Sequence, residues 1–188
     1  MVVAAVTRPL EEKPLASAAI TVFGVLYSAF LLGLLLLVRH PSIPLTSMAA
    51  TWLVFLPMAV VWVCDTMAMA GGHAIGGAKL SPVLSPNKTW AGALSGTIGG
   101  MAVAPAYGAF LLWPNGVSIP VWQLIIFGLV VSVVGQAGDI AESSFKREAG
   151  RKDSGTFFGG HGGVLDRLDS LYWAIPFSVI LLTVFGVI

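Results

Sequence analysis

Long uncharged apolar runs alternate with short polar stretches along this chain, and the runs are too long for strands or ordinary core helices. Residues 16–38 carry no charge and, as a helix, would cross the roughly 30 Å of a bilayer's hydrocarbon. Arg39-His40-Pro41 ends that run, and Pro41 and Pro44 mark a tight loop. A second run, 49–70, contains Pro57, which a helix inside a bundle accommodates as a kink. Residues 71–89 are rich in Gly and Pro and read as a loop with extended or turn structure. A third run spans 90–113, where Gly92, Gly96 and Gly100 would form a small-residue stripe suited to close helix packing. Pro114-Asn115-Gly116 is a turn. The fourth run begins near Pro120 and continues into Asp139, Glu142 and Ser143; if the helix persists, Asp139, Glu142 or Ser143, and Lys146 share one stripe. The fifth, 171–188, is uncharged. The pattern predicts an all-α, polytopic integral membrane bundle of about five transmembrane helices. It reads as one domain over 1–188, with a polar tail at 1–15 and a polar motif at 143–169.

Composition agrees with that pattern. The chain is 56% hydrophobic and 10% charged with a mean hydropathy of +0.88, which excludes a soluble globular domain. A formal charge of +1 gives no support for a nucleic-acid partner. One cysteine, Cys64, excludes an internal disulfide and reads as a packed thiol. A cleaved signal peptide fits poorly, because the first apolar run is longer than such a segment and Glu11 and Glu12 precede it.

Charge placement sets an orientation. With five spans, the N-terminal tail and the second and fourth loops share one side of the membrane. That side holds nine cations (Arg8, Lys13, Lys79, Lys88, Lys146, Arg147, Arg151, Lys152 and Arg167), and the other holds only Arg39. Both polar loops are therefore expected in the cytoplasm and the C-terminus outside.

The candidate chemistry concentrates in 143–169. Five of the ten Lys and Arg residues and four of the nine acids lie there, together with Gly155, Gly159, Gly160, Gly162 and Gly163. Glycines let backbone approach a ligand closely, and Asp166 and Asp169, three apart, would share a helix face where two carboxylates can hold a cation. An ordinary mixed-charge juxtamembrane loop is the plainer alternative. Upstream, Asp65 sits near the end of the second run; a carboxylate at membrane depth faces a cavity or a partner unless it has emerged among headgroups. Walker A, Ser-His-Asp, HExxH and DGxxAR patterns are absent.

The run Ser143, Phe145, Lys146-Arg147, Lys152-Asp153, Gly155, Gly159, His161-Gly162-Gly163, Asp166-Arg167 and Asp169 resembles the defining pattern of the phosphatidate cytidylyltransferases, or CDP-diacylglycerol synthases. A weaker match covers Asp65-Thr66 and Lys79 through Trp90. The chain departs from that pattern at Met69, where members usually carry an aromatic, and around His73, Gly77 and Ala78, where they are usually more basic. Members also usually have several more spans before the matching region. The resemblance implies transfer of a cytidylyl group from CTP to phosphatidate at the cytoplasmic face of the cell (inner) membrane, by a multi-pass protein that forms a homodimer.

By position, the resemblance makes Asp139, Asp166 and Asp169 the ligands of Mg²⁺, with a second cation left open. Lys146, Arg147 and Lys152 would bind phosphates and Ser143 would assist. His161 would shape or contact phosphate, and Asp65, Lys79, Ser85 and Lys88 would form the nucleotide side. Two other readings stand beside it: a CTP-dependent enzyme acting on another lipid such as a polyprenol, and a non-catalytic assembly subunit that has kept the motif.

Overall fold

The computed structural model describes residues 13–157 and 163–188. Five helices among them are long and apolar enough to cross a membrane: α1 Pro14–Arg39, α2 Ser47–Ile75, α3 Trp90–Asn115, α4 Val121–Glu148 and α5 Leu165–Val184. The chain is a polytopic helical membrane protein, as its apolar pattern predicts. Short connections between successive spans make neighbours antiparallel. The connection after α2 and the one after α4 therefore lie at the same end of the bundle.

Local signals explain the helix ends. Pro14 opens α1, where a missing N–H costs nothing. Thr46 caps α2 by accepting from the Ala49 N–H at 3.1 Å, and Thr89 caps α3 in the same way from Gly92 at 3.1 Å. Each cap satisfies an amide that would otherwise be orphaned in a low-dielectric setting. Pro57, Pro105 and Pro176 all lie inside helices. Such interruptions are tolerated in membrane bundles, where neighbouring helices re-satisfy the freed backbone groups.

The 71–89 segment differs from its sequence reading. α2 continues without a break to Ile75, so Gly71 and Gly72 are helical. Their bareness serves packing: a Cβ on Gly71 would fall 2.1 Å from Ser95 Oγ on α3. The true stop is Gly76-Gly77, whose φ angles of 67° and 94° lie in the region that only glycine enters cheaply. A short antiparallel hairpin follows, with β1 Lys79–Ser81 paired to β2 Ser85–Thr89 through an irregular register. The fifth helix also begins earlier than the apolar run suggests, so Asp166 and Asp169 stand in its first two turns.

The core lies between α2, α3, α4 and α5, built on Leu53, Leu56, Val60, Leu124, Phe127 and Ile175. The glycine stripe of α3 is spent inside this core. A Cβ on Gly96 would meet Cys64 O at 2.7 Å, and one on Gly100 would meet Ser132 Oγ at 1.8 Å. Helix backbones approach this closely only over glycine. Cys64 is buried and free, as its apolar setting predicts. α1 is held more loosely, mainly by Val38 and by an aromatic cluster. Tyr27 packs against Phe23, Phe145 and Tyr172 and accepts a hydrogen bond from Trp173 Nε1 at 3.2 Å.

Candidate functional site

The end of α2, the hairpin, the start of α3 and the middle of α4 enclose a cavity of about 740 Å³. Asp65 enters it from α2, Lys79, Ser85, Asn87 and Lys88 from the hairpin, and Gln136 and Asp139 from α4. The length of α2 puts Asp65 well before the helix end, with its side chain lining the cavity. Gly72 and Gly92 line the wall where α2 meets α3. A Cβ on Gly92 would fall 2.6 Å from Ala68 O, so the same close approach that packs these helices also shapes the cavity.

Charges in this cavity are paired with one another. The Lys88 ammonium donates to Asp139 Oδ2 across the space between hairpin and α4. Asp65 is repelled by Asp139 and Asp169 and attracted by Lys88. Asp169 in turn is repelled by Asp139 and attracted by both Lys146 and Lys88. Lys88 thus bonds Asp139 and also attracts, more weakly, the charges of Asp65 and Asp169. Gln136 is held by its amide, which donates to Ala93 O at 3.3 Å, Thr97 Oγ1 at 3.1 Å and Ser132 O at 3.3 Å.

The second polar centre lies where the end of α4 meets the start of α5. Lys146 donates to Asp166 Oδ1 at 2.7 Å and lies 3.2 Å from Glu142 Oε1. The other oxygen of Asp166, Oδ2, accepts from Ser154 N at 2.8 Å, Ser154 Oγ at 2.8 Å and Gly163 N at 2.7 Å. Asp166 therefore ties the loop to both helices with both oxygens engaged. Arg147 turns back to donate to Arg151 O at 3.3 Å, closing the end of α4. Ser143 is half-buried on α4, and Lys152 is exposed on the loop. His161 lies outside the described residues.

A divalent cation fits part of this arrangement. Asp139 and Asp169, with Asp65 facing them, form a carboxylate excess of the kind Mg²⁺ relieves, and Mg²⁺ takes one or two carboxylates and leaves its other positions to water and phosphate. Among the described residues no three His, Cys, Asp or Glu side chains gather to hold a metal by themselves. Asp166 is the member of the expected trio whose oxygens are already occupied by internal donors.

Two polar residues of these centres were not singled out as site residues from the sequence. Gln136 lies one helical turn before Asp139, and Glu142 one turn before Lys146. That spacing was the available signal, but a polar residue in an apolar helix does not announce whether it faces lipid or a cavity.

Residues 1–185 match the model of the cytidylyltransferase family. A phosphatidate cytidylyltransferase of Brucella abortus is 45% identical over 138 residues, which cover 73% of this chain and 47% of that protein. One of Staphylococcus haemolyticus is 42% identical over 123 residues, covering 65% and 46% respectively. One of Staphylococcus aureus is 43% identical over 123 residues. The chain spans about half the length of the curated relatives it matches.

Proposed function

Because this chain belongs to the cytidylyltransferase family, we propose that it transfers a cytidylyl group from CTP to phosphatidate, giving CDP-diacylglycerol and pyrophosphate in phospholipid biosynthesis. The observation that carries this reading is the cavity itself, in which Asp65, Lys79, Ser85, Lys88 and Asp139 converge from three elements separated in sequence. It lies at one end of a membrane bundle, where a water-soluble triphosphate and a lipid headgroup can meet.

The chemistry asks little of a general base. The phosphatidate phosphomonoester has a second pKa of about 6, so its oxygen is already nucleophilic near neutrality. That oxygen attacks the α-phosphorus of CTP, the bond from α-phosphorus to the bridging oxygen breaks, and pyrophosphate departs with the electron pair. The burden on the protein is to bring polyanions together and neutralise the charge that moves onto the leaving group. Lys79 and Lys88 suit the triphosphate, with Lys88 exchanging Asp139 for phosphate oxygens. Asp139 and Asp169 would hold Mg²⁺, which when bound supplies further neutralisation of the triphosphate and of the departing pyrophosphate. Lys146 would meet the phosphates from the α4–α5 side, where Arg147 and Lys152 would bind phosphates too and Ser143 would assist.

The proposed setting is the cell membrane with both polar loops cytoplasmic, on the strength of the cation asymmetry. Association into a homodimer is proposed on the family resemblance alone, since the glycine stripe is spent inside one chain. A monomeric mass in mild detergent with activity intact would count against it. The deciding assay for function supplies purified protein with CTP and Mg²⁺ and a panel of acceptors. Turnover with phosphatidate that stops on chelation is the expected result. Turnover only with a polyprenol or other lipid would replace the acceptor, and none with any acceptor would leave a non-catalytic role.

A further inference from the structure

Glu142 is completely buried, at 0% exposure, in the last two turns of α4. Among the described residues, neither of its carboxylate oxygens has a hydrogen-bond partner. Its contact with a cation is Lys146, one turn further along α4, at 3.2 Å without hydrogen-bond geometry. A carboxylate in this state is expensive, and an apolar residue of similar volume would pack α4 against α1 and α5 at lower cost. Packing therefore does not account for it. What the charge does is fix the position of an ammonium. Lys146 is drawn inward by Glu142 on one side and bonded to Asp166 at 2.7 Å on the other, and its charge also reaches Asp169.

We propose that Glu142 is a positioning residue, holding the Lys146 ammonium between α4 and α5 at the place where it faces the phosphates of the reaction. The proposal rests on the reading of the protein as a cytidylyltransferase. Asp166 alone does not fix the lysine along α4, because it stands on the other helix and its second oxygen is engaged by Ser154 and Gly163. Glu142 sits on the same rigid helix as Lys146, so it keeps the lysine in register with Asp139, which projects from that helix two turns earlier.

The test is a two-residue cycle of Glu142→Gln, Lys146→Met and the double variant, read by steady-state turnover and by thermal unfolding in detergent. Glu142→Gln is expected to lower kcat roughly 10–100-fold, the usual scale for removing a supporting partner. The KM for CTP should stay within about threefold, because the loss falls on the transition state rather than on ground-state binding. In the Lys146→Met background the same change should do nothing further, since its effect passes through the lysine. Multiplying losses in the double variant, or lost thermal stability with kcat unchanged, would overturn the proposal in favour of a packing role.

A second arm does not depend on turnover. Amine acylation followed by mass spectrometry should label Lys146 faster in Glu142→Gln than in the wild type, with Lys79 unchanged as internal reference. Equal labelling of Lys146 in both would sink the idea. If Glu142→Gln cannot be purified, Glu142→Asp takes its place, with a smaller rise in labelling expected and no rise fatal. Wild-type protein without turnover would overturn the proposed function, while labelling would still decide whether Glu142 holds the lysine.

Discussion

The two polar centres of this protein are built in opposite ways. The hairpin cavity is open, about 740 Å³, and its charged groups come from three separate elements, with Lys88 and Asp139 paired across it. The α4–α5 junction is closed on itself, with Asp166 accepting four hydrogen bonds from Lys146, Ser154 and Gly163. In the sequence their standing is reversed: the 143–169 stretch is the long, specific pattern and the 65–90 stretch the weak one. A dense charged motif can be specific because its members bind one another. Residues that bind a ligand need only be few and correctly aimed. Asp169 joins the two centres, since it interacts with Asp139 and Lys88 on one side and Lys146 on the other.

The comparison makes unequal demands on three aspartates. Asp139→Asn removes charge lining the cavity and Asp169→Asn removes charge that acts on Asp139 and Lys88, and each should lower the proposed CDP-diacylglycerol formation roughly 10²–10³-fold, the scale for losing one group that stabilises developing charge. Their thermal unfolding midpoints should hold, as each variant relieves carboxylate repulsion. Full turnover in both would remove the cavity from the chemistry. Asp166→Asn should differ in kind. It weakens a knot of charge-assisted bonds, so it should cost about 2–4 kcal/mol of stability along with activity. A wild-type unfolding midpoint for that variant would break the distinction between an open and a closed centre.

A smaller effect comes from the wall between the helices. Gly96→Ala places a methyl group against Cys64 O and the Ala68 side chain, and overpacking of this sort costs about 1–3 kcal/mol. Detergent-solubilised mass should not change, because this face packs within one chain; a loss of association would return the stripe to an intermolecular role. Glu148→Gln is the smallest. Glu148 is exposed at the end of α4, and its stability change should lie within about 0.5 kcal/mol, with turnover unaltered. A large effect there would mean that the charged surface, rather than the two centres, carries the function.

The sequence by itself determined the class of protein and the course of the chain. Apolar runs of membrane length can be satisfied only as helices, because a bilayer offers backbone groups no other partner, so the five spans were legible from 16–38, 49–70, 90–113 and their successors. The lysines and aspartates of both loops were legible too, because charge in so apolar a chain stands out. Three things waited for the tertiary structure. Gly71 and Gly72 read as loop because glycine is ambiguous between a turn and a tight helix contact, and only the approach of α3 resolves it. The pairing of Lys88 with Asp139, 51 residues away, depends on how the hairpin folds over α4. Asp166 and Asp169 look alike three residues apart, yet one is tied to a loop and the other turned toward Asp139, because neighbouring turns of a helix meet different walls. Periodicity records which residues share a face; what that face meets is fixed by long-range packing.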